Sequence, residues 1–168
     1  MKVKSWKNLR NFVLSSALIT LAMPVSAQNV VIALKTNPLV DPEAACVALQ
    51  IGQNLAMDIG VEGPADQVTL FPTLDGVEIV SDRMLLLEDL PNGKPRNYPP
   101  HLDCLTPNGY VPLPQLLAGF QSMPNVAIVV CPLCWGARYE GEDPIYGEVG
   151  NGASIHTLFM DADKVIDF

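Results

Sequence analysis

Positive charge is scarce in this 168-residue chain: ten Lys and Arg stand against eighteen Asp and Glu, for a formal net charge of −8. Neutralising nucleic-acid phosphates takes clustered Lys and Arg, so no nucleic-acid partner is expected. The chain also has no Gly-rich loop of Walker or Rossmann form and no Gly-x-Ser-x-Gly elbow. Those absences remove the phosphate-cradling folds and the serine hydrolases of that type, and no cofactor is expected. The acids are too scattered to nominate a glycosidase pair, and there is no internal repeat. The apolar stretch Phe12 to Met23 is too short for a bilayer span, which needs about 20 residues. Lys2, Lys4, Lys7 and Arg10 precede it, and Val25-Ser26-Ala27 supplies small residues after it. That order predicts a signal peptide over 1–27, a mature domain over 28–168 and a periplasmic or secreted protein with no membrane association after cleavage; an uncleaved N-terminal anchor is the alternative. There is no twin-arginine pair, and the residue directly after the cleavage site is Gln28 and not a cysteine, so export in the unfolded state without a lipid anchor is expected. Cleavage would leave eighteen acids against six bases, about −12.

The remaining chain is long enough for one domain with a real core, so disulfides are not needed to fold it. Val30 to Leu34 is an uninterrupted apolar run, as expected of a strand covered on both faces. Asp41-Pro42-Glu43 then opens a helix with a capping acid and a proline in the first turn, reaching about Asp58. Gln67 to Phe71 predicts a second strand and Gly76 to Val80 a short extended piece, with Ser81 to Leu90 helical. Six prolines between Pro91 and Pro112 predict a long loop, the kind that often carries function. Leu113, Leu116, Leu117 and Phe120 fall at helical spacing. A buried strand, Val126 to Val130, a helix near His156 to Ala162 and a final strand, Lys164 to Phe168, complete the order. Alternating strands and helices predict a doubly wound α/β domain, with a mostly parallel central sheet and helices on both faces. Ligands in such sheets sit at the carboxyl ends of strands, where the winding reverses, which makes Lys35 and Cys131 candidate neighbours.

Chemistry concentrates in the cysteines. Cys131-Pro132-Leu133-Cys134 directly follows the buried strand, and Trp135-Gly136-Ala137-Arg138 has the character of a helical turn. Backbone N–H groups at a strand-to-helix junction favour thiolate, the form that attacks disulfides, carries persulfide sulfur and binds soft metals. Two alternatives stand beside a reactive pair. His101 and Cys104 share the two-residue spacing of Cys131 and Cys134, which is the donor set of a Cys3His zinc or copper(I) site without enzymatic activity. The cysteines could also simply brace loops of a structural or partner-binding protein. Cys46 reads as a buried helix residue or as the partner of Cys104 in a disulfide. His156 could serve the pair as a base or stand at the surface. Arg138 could hold a sulfur-bearing anion or pair with Glu140 or Glu142.

The segment Cys131-Pro-Leu-Cys134-Trp-Gly-Ala137-Arg138 resembles the Cys-x-x-Cys-x-x-Ala-Arg segment of the DsrE/DsrF-like (YchN-like) proteins, and the tail Asp161 to Phe168 is similar to their closing strand. The resemblance implies a single flavodoxin-like α/β domain and a homo-oligomer. It also implies a sulfur-relay role in which Cys131 accepts sulfane sulfur or attacks a disulfide, Cys134 resolves it and Arg138 assists. The partner would then be a sulfur donor or acceptor protein, or a small sulfur species. The chain departs from the pattern at Tyr139, where the family has Gly, and in the Pro91–Pro112 insertion.

Overall fold

The computed structural model describes residues 28–57, 65–84 and 102–168. The expected signal peptide, His101 and much of the proline-rich stretch lie outside the described residues. The core is a five-stranded sheet of β1 (Asn29–Leu34), β2 (Gln67–Pro72), β5 (Val126–Val130), β6 (Glu148–Val149) and β7 (Lys164–Asp167), in the order β6-β5-β2-β1-β7. Every pairing in it is parallel. The helices are α1 (Pro42–Ala56), α2 (Leu113–Gln121), α3 (Pro132–Gly136) and α4 (Gly152–Met160). An antiparallel hairpin, β3 (Asp103–Thr106) with β4 (Gly109–Pro112), stands apart from the sheet.

The apolar run of β1 is buried because successive side chains enter different cores. Val30, Ile32 and Leu34 pack into the larger core with α1 and α2, while Val31 and Ala33 join Phe71 on the opposite face, against Ile155 and Leu158 of α4. The sheet thus has helices on both faces, as the sequence predicts. The Asp41 carboxylate caps α1 by accepting from the Glu43 N–H at 3.3 Å, and Pro42 opens the helix. The buried stripe Ala45, Ala48, Leu49, Gly52 and Ala56 is small because α2 packs closely: a Cβ on Gly52 would meet the Phe120 ring.

Two predicted elements differ. Gly76–Val80 is not extended: Leu74–Val80 winds into a 3-10 helix whose residues from Gly76 onward are all buried. A short apolar run carries no periodicity that separates strand from buried helix, and close packing decides here. A Cβ at Gly76 would fall on the Leu34 carbonyl, so this turn lies against the end of β1. Within the expected loop, 103–112 forms the β3–β4 hairpin instead, closed by Gly109 at φ +110°. The hairpin is fastened to α1 by the Cys46–Cys104 disulfide and by the Gln50 amide, which donates to the Leu105 carbonyl at 3.1 Å. An open groove of about 550 Å³ lies between α1 and the hairpin. Of the expected helix Ser81–Leu90, Ser81 is extended, Asp82–Met84 is a 3-10 turn and 85–90 lie outside the described residues. No helix among the described residues is long and apolar enough to cross a membrane.

Candidate functional site

The site forms where β2 and β5 end side by side. Cys131 follows β5, and its N–H donates to the Pro72 carbonyl at 3.0 Å, prolonging the β2–β5 pairing past the ladder. Pro132, with its fixed φ, starts α3 immediately, so the helix begins earlier than expected and contains Cys134. Trp135 anchors this short helix in the core: it is buried, its indole N–H donates to the Glu142 carbonyl at 2.8 Å, and its ring stacks on Tyr139 at 4.4 Å.

Cys131 and Cys134 are free thiols, both half-buried, with their sulfurs 2.7 Å apart. A disulfide bond is about 2.05 Å long, so little movement would close the pair. The two sulfurs are not equivalent. Cys131 donates to Cys134, and Cys131, although it caps α3, accepts no N–H from that helix. The other donors come from the turn after β2. The Leu74 N–H donates to Cys134 Sγ at 3.1 Å, and the Thr73 hydroxyl lies 3.5 Å from the same sulfur. Burial works against a thiolate at Cys134. The hydrogen bonds from Cys131, Thr73 and Leu74, helped by the Arg138 charge, outweigh it and hold this thiol below its ordinary range.

That turn is pinned from two sides. Thr73 N–H donates to the Leu34 carbonyl at 2.8 Å, and Gly76 N–H to the Lys35 carbonyl at 3.0 Å. On the other side Glu78, nearly buried, accepts from the Tyr139 hydroxyl at 2.6 Å and lies 3.6 Å from Arg83. Burial, with the Glu78 carboxylate beside it, pushes the Tyr139 phenol up. The Tyr139–Glu78 bond ties the segment after α3 to the turn facing Cys134.

Arg138 pairs with Asp75, and its Nη1 donates to the Cys134 carbonyl at 3.3 Å. It braces the helix against the turn, and neither Glu140 nor Glu142 is its partner. Lys35 is not a neighbour of Cys131, because β2 lies between β1 and β5; its ammonium pairs with Asp167 at 2.8 Å. The winding reverses between β1 and β7, two strands away from the β2–β5 junction that carries the cysteines. His156 stands exposed on α4, and neither thiol hydrogen-bonds to it. The four-ligand metal reading of His101, Cys104, Cys131 and Cys134 is corrected at Cys104. Its sulfur is buried and bonded to Cys46, so it has no thiolate to offer a metal. Among the described residues no cluster of three or more His, Cys, Asp or Glu is placed to hold a metal ion. Thr73, Leu74 and Asp75 are the residues that sequence reasoning missed. Their one sequence signal is the turn after an apolar strand.

Fold and site together define a flavodoxin-like parallel α/β domain with a free cysteine pair at the carboxyl end of an inner strand. The crystal structure of the YchN protein from E. coli has the same fold: the two agree with a TM-score of 0.51 over 84% of this chain and 99% of that one, at 19% sequence identity. No protein-family model and no curated protein matches the chain.

Proposed function

We propose that this is an exported thiol protein whose Cys131–Cys134 pair takes up divalent sulfur, either sulfane sulfur or one half of a disulfide. Both reactions begin with a thiolate attacking sulfur. The observation that carries the reading is a free, partly exposed cysteine pair with hydrogen-bond donors gathered around one sulfur. The idle alternative, a structural bridge, is already served by Cys46–Cys104. That bridge also supports export, since lasting disulfides belong to oxidising compartments. The YchN-like fold is consistent with the relay role that the CPLC segment suggests. A homo-oligomer belongs to the same proposal. No residue of α4 is fully buried, and Phe159, Met160 and Val165 leave apolar surface near the edge strand β7 that a second copy would cover.

The test is whole-protein mass spectrometry after incubation with polysulfide, and separately with a small disulfide, each followed by reductant. Reductant-sensitive gains of about 32 Da, one sulfur atom each, identify a sulfur carrier. A mixed adduct or a loss of two hydrogens identifies thiol–disulfide exchange. A protein that reacts with neither is not a thiol protein of this kind. Light scattering of the mature chain tests the oligomer, which a monomer at all concentrations would remove.

A further inference from the structure

Thiol chemistry at this pair, as proposed above, leaves open which sulfur attacks. Resemblance assigns that role to Cys131 at the strand end. We propose the reverse: Cys134 is the attacking thiolate, held by the Leu74 N–H and the Thr73 hydroxyl of the turn after β2, and Cys131 is the resolving thiol.

The Leu74 hydrogen bond runs one way, from the backbone N–H to the Cys134 sulfur. A sulfur that accepts from several donors is stabilised as an anion, and a sulfur that donates keeps its proton. Cys134 is the acceptor from Leu74 and Cys131, with the Thr73 hydroxyl beside it, whereas Cys131 is a donor. The backbone carries a second, independent sign. Leu74 has φ +50°, the only non-glycine residue with positive φ among the described residues. A bulky residue there costs of order 1 kcal/mol. Its side chain is exposed, so burial of the leucine does not compensate. What the residue does supply is an N–H directed at Cys134. The turn is kept in place by the close approach of Gly76 to Leu34 and by the Glu78–Tyr139 bond. The depressed thiol at Cys134 agrees with this geometry.

The reaction balances as follows. Cys134 thiolate attacks one sulfur of a disulfide R–S–S–R′, forming a Cys134–S–R bond and breaking the S–S bond, so R′S⁻ leaves and takes the Cys131 proton. Cys131 thiolate then attacks Cys134 Sγ, closing the Cys131–Cys134 disulfide and releasing RS⁻. The protein pair loses two electrons and the disulfide gains them. With a persulfide R–S–SH, Cys134 thiolate attacks the outer sulfur, giving Cys134–S–SH and RS⁻.

Alkylation of the full chain by iodoacetamide across pH, with each cysteine read by peptide mass spectrometry, tests the assignment in the wild-type molecule. Cys134 should be modified faster than Cys131 at neutral pH. Thr73→Val should slow Cys134 by about three- to tenfold at pH 7, the size of one hydrogen bond, while sparing the rate at high pH. Cys131→Ser should still gain sulfur from polysulfide at Cys134, and Cys134→Ser should lose at least about tenfold in rate. Faster alkylation of Cys131, or a Cys134→Ser variant as reactive as wild type, overturns the assignment. Wild-type protein that alkylates at Cys134 but takes up neither sulfur nor a disulfide leaves the assignment standing and removes the proposed function instead.

Discussion

Cys46 and Cys104 lie 58 residues apart in the chain, buried and bonded, whereas Cys131 and Cys134 lie three apart, half-buried and free. Chain entropy alone separates their uses. Closing a loop of the first length is worth about 4 kcal/mol, and closing one of the second about 2 kcal/mol. The long bridge fastens to α1 the β3–β4 hairpin, which pairs with no strand of the five-stranded sheet. The short pair joins residues that β5 and α3 already hold together, so a bridge there adds little and can open and close at small cost to the fold. Surroundings sharpen the contrast: carbon surrounds the first pair, and hydrogen-bond donors surround Cys134. One molecule thus uses the same element for bracing and, on our proposal, for chemistry, and loop length with donor placement tells the two apart.

Breaking the bracing pair should give the largest effect. Cys46→Ala with Cys104→Ala removes a cross-link worth about 4 kcal/mol, which lowers the melting temperature by about 10 °C for a domain of this size. The rate of Cys134 alkylation at pH 7 should be unchanged. Calorimetry and alkylation on one preparation check both halves. A loss of Cys134 reactivity in step with stability would show that the two pairs are not separate devices.

Much of this contrast was legible in the residues, and part of it was not. Val30 to Leu34, the Asp41-Pro42 cap, the Leu113–Phe120 spacing and Val126 to Val130 announce strands and helices because burial and capping are local properties. The Cys131–Cys134 pair could be placed after β5 for the same reason. Its environment could not, since Thr73 and Leu74 lie 61 and 60 residues from Cys134 and meet it only because β2 pairs with β5. The sequence predicts Gly76–Val80 as extended and does not show its helical form, which rests on the close approach of Gly76 to Leu34, a contact between distant segments. The same blindness to pairing kept Cys104 available for a metal site, although a bridge to Cys46 was one of the readings.

Gly76→Ala should come next, and it couples stability to the reactive pair. The added Cβ meets the Leu34 backbone, which cannot yield as a side chain tip can, so about 2–3 kcal/mol is lost. The displaced turn should also slow Cys134 alkylation at neutral pH while Cys46–Cys104 stays closed. Unchanged alkylation in this variant would disconnect the turn from the thiolate.

The pH dependence of stability offers a finer test. A thiol held low in the folded protein stabilises the fold above the ordinary thiol pKa of about 8.5, and this contribution is lost as pH falls through the lower folded value. The protein with its Cys131–Cys134 pair reduced should therefore gain stability as pH rises across that window. Cys134→Ser, or protein with the pair oxidised, should not. Denaturant midpoints measured against pH for the three forms decide it, and a flat profile for the reduced form would contradict the hydrogen bonding at Cys134.

Arg138→Gln should have the smallest effect, and its size separates two roles for that residue. The guanidinium is about a third exposed and already paired with Asp75, and its Nη1 is spent on the Cys134 carbonyl. An exposed pair of this kind is worth little, so its removal should leave the melting temperature within about 2 °C of wild type. As a background charge it should slow Cys134 alkylation less than about twofold at low salt, because such fields are screened. At 1 M salt, where the Debye length is about 3 Å, the difference should vanish. An effect that exceeds that of Thr73→Val and survives high salt would instead place the guanidinium at the reacting sulfur. Arg138 would then hold the sulfur-bearing anion, and Asp75 would be the partner it must leave to do so.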